Sequence, residues 1–154
     1  MKKQLLAVPK FTFDSKITND YIKEHTDIAF ISILDPDNDE KKFGEHPNFL
    51  QVKMWDVEKP ITALDGYVAE PPSDEVLKTI LRFIKQHEDK HFIVHCSAGI
   101  SRSGAVIKHI HLKYYMEVDR LFFDHNNMRI LPNNYILHRL YELDQKIDPE
   151  YYGC

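Results

Sequence analysis

The apolar residues of this chain fall into short blocks with two different rhythms. DIAFISIL (27–34) and HFIVH (91–95) are brief apolar runs rich in Ile, Val and Phe, and the first closes at Asp35-Pro36. Runs of that length, bounded by turn residues, predict buried strands. The start, MKKQLLAVPKFTFD, predicts a first strand, and NFLQVKM, ending near Trp55-Asp56, predicts another. Elsewhere the spacing is helical. Val76, Leu77, Ile80, Leu81 and Ile84 share one face of a helix capped by Ser73, with Asp74 and Glu75 complementing the dipole in its first turn. NDYIKEH predicts a short helix capped by Asn19 or Asp20. GAVIKHIHLKYY after Arg102, then VDRLFFDHN and NYILHRLYELDQKI, predict three more. Strands alternate with helices early and helices dominate late. The expected fold is therefore α/β, a single domain over residues 1–154 with a small, mostly parallel central sheet flanked by helices.

Two stretches carry neither rhythm. DPDNDEKKFGEHPN is a polar loop, and residues 57–72 hold three prolines and one glycine. A loop as long as the second is usually functional or mobile. There is no internal repeat.

Composition narrows the classes. A length of 154 residues with 43% hydrophobic and 29% charged residues suits a globular chain with a real core. A net charge of −4 argues against a polyanion binder, so no nucleic-acid partner is expected. No apolar stretch approaches the ~20 residues of a membrane span, and no membrane partner is expected. Lys2 and Lys3 precede LLAV in a signal-like way, but Pro9 and Lys10 end the apolar run short of the ~7–15 residues of a secretory core. The cysteines are Cys96 and Cys154, too few for a disulfide framework, which points to a reducing, cytoplasmic setting. Cys154 sits too late for a prenylation box.

The chemistry concentrates in HCSAGISRSG (95–104), directly after a predicted strand and before a predicted helix. A chain turning tightly from strand to helix exposes consecutive backbone N–H groups, which converge on one point when the residues are small. The helix N-terminus adds partial positive charge. Gly99 admits a backbone angle that other residues resist. Arg102 offers a planar fork matched to two phosphate oxygens. Cys96, at the mouth of this nest, has its thiolate favoured. The turn holds no lysine and is not the nucleotide-binding P-loop. Other constellations fail on spacing. Counted from Asp35, positions six and twelve of a calcium loop are Glu40 and His46 rather than Gly and Glu. His87, His91 and His95 cross from a helix end into a strand and share no face. Neither a metal nor a cofactor is expected.

HCSAGISRSG closely resembles the His-Cys-x5-Arg-Ser/Thr signature of the cysteine-dependent protein tyrosine phosphatases, in particular the small dual-specificity-like group. MRILPNNYILHRLYELD is similar to that family's late segment, with Pro132 and Asn133 matching its Pro-Asn pair, and AFISILDP resembles its early strand and turn. The resemblance implies that Cys96 is the nucleophile. It implies that Arg102 and the backbone N–H groups of Ser97, Ala98, Gly99, Ile100, Ser101 and Arg102 bind phosphate. Ser103 would hydrogen-bond the cysteine sulfur and help it leave, and His95 and Asn133 would support the loop.

The leaving oxygen needs a proton donor on a loop over the site. Asp56 and Asp65 compete for the role. Asp56 directly follows a predicted strand, and Trp55-Asp56 resembles the family's Trp-Pro-Asp loop without its proline, but it lies 40 positions before Cys96. Asp65 lies 31 before it, nearer the usual separation, with no strand predicted immediately upstream. Position relative to a strand end fixes geometry whereas loop insertions do not, so Asp56 is preferred and ITALDGYVAEPP becomes an insertion beside the cleft. The expected activity is hydrolysis of phosphotyrosine in a phosphoprotein or phosphopeptide, with phosphoserine and phosphothreonine left open, through a cysteinyl-phosphate. The alternative is a phosphotyrosine-binding module of the same fold without turnover.

Overall fold

The computed structural model describes residues 2–153, so the predicted tail at Cys154 lies outside the described residues. Along the chain run β1 (Leu5–Pro9), α1 (Lys10–Lys16), α2 (Asn19–Glu24), β2 (Ile28–Leu34), β3 (Phe49–Lys53), β4 (Ile61–Thr62), β5 (Val68–Ala69), α3 (Asp74–Gln86), β6 (His91–Cys96), α4 (Arg102–Lys113), a 3-10 turn (Tyr115–Glu117), α5 (Arg120–Asn126) and α6 (Asn134–Ile147). Four strands form one sheet in the order β1-β6-β2-β3, and every pairing in it is parallel.

Alternation along the strands sorts side chains to two faces. Phe92, Val94 and Cys96 of β6 and Ala29, Ile31 and Ile33 of β2 join the larger core, packed beneath α3, α4 and α6. Phe30 of β2 and Ile93 of β6 turn the other way, into a smaller core with Phe13, Ile17 and Ile22 from α1 and α2. His95 and Ser32, paired across β6 and β2, also point to that second face. Consecutive residues His95 and Cys96 therefore serve opposite sides of the sheet. That alternation is what delivers the sulfur to the helix-α4 side.

Sequence and structure part in three places. α1 is a helix in the stretch that the sequence assigns to the first strand. It has no side-chain cap and no acid in its first turn, and its aromatic and β-branched residues are weak helix formers. α2 is capped by neither Asn19 nor Asp20. Thr18 accepts the Tyr21 N–H at 3.0 Å. Asn19 is the first helical residue, and its side-chain oxygen accepts the Gly44 N–H at 2.8 Å, tying down the polar loop after β2. Finally, residues 57–72 are not structureless. β4 and β5 pair antiparallel as Ile61↔Ala69 and Thr62↔Val68. Asp65 therefore does have a strand upstream.

Candidate active site

The ten residues that drew attention in the sequence join the C-terminal end of β6 to α4. Their backbone is pinned from outside. The carbonyls of Ser97, Ile100 and Ser101 accept N–H groups of Lys10 (3.1 Å), Leu131 (3.0 Å) and Asn133 (3.0 Å). In a trans peptide the N–H of the next residue points away from such a carbonyl. The amides of Ala98, Ser101 and Arg102 therefore point away from these anchors. Gly99 has φ +71, and a Cβ there would lie 2.5 Å from Val8 C and Pro9 N at the end of β1. No side chain fits, and the loop lies directly against the strand.

Cys96 is the floor of this nest and is 2% exposed. Its sulfur is 3.1 Å from the Ser103 hydroxyl, and the backbone N–H groups of Ser103 and Gly99 also reach it. Burial pushes the thiol pKa up. Those hydrogen bonds and the Arg102 charge outweigh it and leave the pKa below the ordinary thiol value. The N-terminus of α4 begins at Arg102, so its partial positive charge acts in the same direction.

Arg102 is 4% exposed and braced on three sides. Nη1 donates to Asp35 Oδ1 at 2.7 Å and to the Met54 carbonyl at 2.6 Å, and Nη2 donates to Ser97 Oγ at 3.0 Å. Its Nε is buried with no partner among the described residues. Asp35 is the residue that sequence reasoning missed. It reads as the first half of an Asp-Pro turn, yet it closes β2 beside β6 and orients the arginine by an ion pair. Only the pairing of β2 with β6 brings positions 35 and 102 together.

The structure separates the two aspartates. Asp56 Oδ1 accepts from Ser101 Oγ at 2.7 Å and from Asn133 Nδ2 at 3.0 Å, which holds the carboxyl at the rim of the loop. Asn133 Nδ2 also reaches the Val57 carbonyl at 3.2 Å, and Asn133 Oδ1 caps α6 through the Ile136 N–H at 3.0 Å. Asp65 sits in the β4–β5 turn, where it accepts the Tyr67 N–H at 3.0 Å. It meets no residue of the loop.

His95 lies behind the loop. Its Nε2 is 2.6 Å from Ser32 Oγ, its Nδ1 is 3.3 Å from the Cys96 carbonyl, and Phe13 packs on its ring at 4.4 Å between centroids. Burial holds its pKa down at about 4. It is neutral at physiological pH and carries no proton to the site. A folded-state pKa depressed below the unfolded value has a stability consequence. The unfolded chain binds the proton first as pH falls, so stability is complete above about 6.5 and drains away down to about 4. The loss is about 3 kcal/mol over that window. Urea midpoints should fall across it, and His95→Gln should flatten that part of the profile. Asp144 acts in a different window. Burial opposes its charge, but His109, Lys113 and Tyr152 hold its pKa down at about 2, so its contribution is lost only below the ordinary carboxylate range. His87 and His91 are occupied elsewhere, bonded to the Phe83 carbonyl and the Gln4 N–H.

Comparison with known proteins agrees with this picture. The human tyrosine phosphatase-like serine/threonine/tyrosine-interacting protein is similar at 20% identity, with 94% of this chain and 93% of that one covered and a TM-score of 0.53. DUSP15 (18% identity, 97% and 91% covered, TM-score 0.54) and human DUSP28 (12% identity, 95% and 94% covered, TM-score 0.53) are similar in the same way. The fold is that of the small dual-specificity-type phosphatases. The protein-tyrosine phosphatase family profile matches residues 12–120, from α1 through the cysteine loop to the start of α5. The chain belongs to that family. A search of curated proteins returned no match.

Proposed function

We propose that this protein is a phosphoprotein phosphatase that hydrolyses phosphotyrosine, with phosphoserine and phosphothreonine as shallower alternatives, through a cysteinyl-phosphate. The Cys96 thiolate attacks phosphorus in line, and an S–P bond forms as the P–O bond to the leaving group breaks. Arg102 and the amides of the loop hold the equatorial oxygens and spread their charge. Asp56 gives its proton to the departing oxygen. A water then attacks phosphorus, Asp56 takes the water's proton, and the S–P bond breaks. Ser103 hydrogen-bonds the sulfur as it leaves.

The single observation that best supports the reading is the orphaned Nε of Arg102. It is a buried cationic donor with no partner among the described residues, beside a thiol of lowered pKa. An unmatched buried donor of this kind is costly unless a ligand acceptor completes it. Phosphate is the ligand whose oxygens match the loop.

Turnover of p-nitrophenyl phosphate in EDTA tests the reading. The wild type should hydrolyse it. With phenyl phosphate, whose leaving group needs a proton more, Asp56→Ala should cost about 10²–10⁴-fold in kcat. Asp65→Ala should stay within about 3-fold, since that side chain meets no residue of the loop. A larger loss at Asp65 than at Asp56 would reverse the assignment. Binding of a phosphotyrosine peptide without any turnover would favour the non-catalytic module.

A further inference from the structure

Beside the cysteine loop lies a groove of about 500 Å³, between the segment leading into β4 and the segment joining α5 to α6. Asp56 and Ser101 form the end of it nearest the loop. The groove therefore starts where the leaving group departs and runs away from the phosphate site.

Two exposed apolar side chains stand on facing sides of an otherwise largely polar lining. Ile61 is 50% exposed and Leu131 is 74% exposed, with Pro132 between Leu131 and the Asn133 that holds Asp56. Both walls are fixed with respect to the loop. The Leu131 N–H donates to the Ile100 carbonyl, and Ile61 is held in the β4–β5 pairing. That hairpin is itself tied to the residue before Asp56, through Trp55 Nε1 donating to the Tyr67 hydroxyl at 3.1 Å. Exposed apolar side chains held in place beside a reaction centre are open to contact with a molecule bound there.

Charge restricts that molecule. Asp56 and Glu58 border the groove against one cation, Lys59. Glu58 is positioned rather than free, since its Oε1 accepts the Asn134 N–H at 2.7 Å. Asp56 carries its proton when substrate binds, so the held Glu58 carboxylate is the charge that opposes an acidic side chain or a second phosphate. The Asn134 side chain makes no hydrogen bond among the described residues. Its exposed amide can donate to, and accept from, a passing main chain.

We propose that this groove takes the residue adjacent to the phosphorylated one in an extended phosphopeptide, and that it selects an aliphatic or aromatic side chain there while rejecting an acidic or phosphorylated one. The proposal rests on the phosphatase reading of the loop and adds the substrate's neighbouring chemistry to it. Ile61 and Leu131 set the preference, and the Glu58 carboxylate sets the exclusion.

The test compares kcat/KM for phosphotyrosine peptides bearing Leu, Ala or Asp on either side of the phosphorylated residue. p-Nitrophenyl phosphate and a soluble short-chain phosphoinositide complete the set. On one side, Leu should exceed Asp by about 10-fold or more. Ile61→Asp and Leu131→Asp should each remove most of that ratio and leave p-nitrophenyl phosphate turnover within about 2-fold. Equal rates whatever the neighbour would overturn the groove's role. So would equal losses on p-nitrophenyl phosphate and peptide, or a phosphoinositide that outruns the Leu peptide. If the wild type hydrolyses nothing, the phosphatase reading fails on its own. The groove is then judged by the Leu-to-Asp ratio in peptide affinity, measured by fluorescence anisotropy: a retained preference upholds it and equal affinity rejects it.

Discussion

Cys96→Ser is expected to lower kcat for p-nitrophenyl phosphate by at least about 10⁴-fold while leaving phosphopeptide affinity nearly intact. The surroundings of the sulfur are built for an anion. The Ser103 hydroxyl, two backbone N–H groups and the Arg102 charge lower the thiol pKa against the opposing effect of burial. A serine hydroxyl starts many units higher, and the same contacts cannot bring it to a usable anion at neutral pH. Arg102 and the loop amides that would hold phosphate are untouched by the change, so binding survives. The substitution is close in volume, so the loop keeps its outside anchors at Lys10, Leu131 and Asn133. Steady-state kinetics paired with peptide titration separates the two effects, and turnover that persists in the serine variant would end the covalent mechanism.

Arg102→Lys should behave differently. It is expected to cost about 10²–10³-fold or more in kcat/KM and to weaken inhibition by inorganic phosphate and vanadate in parallel. The guanidinium is held by Asp35, the Met54 carbonyl and Ser97 at once, which leaves Nε buried and without a partner among the described residues. A lysine ammonium is a point charge without that fork, and it cannot meet Asp35 and a phosphate oxygen together. One variant loses chemistry and keeps binding. The other loses both. An Arg102→Lys protein with unchanged phosphate inhibition would show that the charge, not its geometry, does the holding.

What could be read from the residues depended on how locally each feature was encoded. The loop from Cys96 to Arg102 is contiguous, and its strand, small residues, arginine and helix all lie within one window, so its architecture was legible. The all-parallel sheet followed from apolar runs too short for helices and separated by helical spacing. α1 was not legible, because it carries neither a side-chain cap nor a first-turn acid, the local signals that mark a helix start. The cap of α2 was misassigned because Asn19 has the right chemistry but spends its side chain on Gly44, a contact 25 residues away. Asp35 was invisible for the same reason. Its partner is 67 positions distant, and only sheet order makes them neighbours. The two aspartates were ranked by strand position, an argument that the β4 strand before Asp65 weakens. What separates them in space is a contact with the loop that no local pattern contains.

Asn133 ties two bodies together. Cys96 and Arg102 ride on the sheet and on α4, whereas Asp56 hangs from the first turn of α6 through the same side chain that caps that helix. The carboxylate of Asp56 is thus shared between two frames, the Ser101 hydroxyl of the cysteine loop and the Asn133 amide of α6. A shift of the α6 terminus acts directly on Asp56, whereas the sulfur rests on β6 and the Ser103 hydroxyl. Substrates with good leaving groups will not register such a shift, and substrates that need the proton will. In the proposed mechanism the Asn133 and Ser101 contacts to Asp56 together set how strongly the rate depends on what the phosphate is attached to.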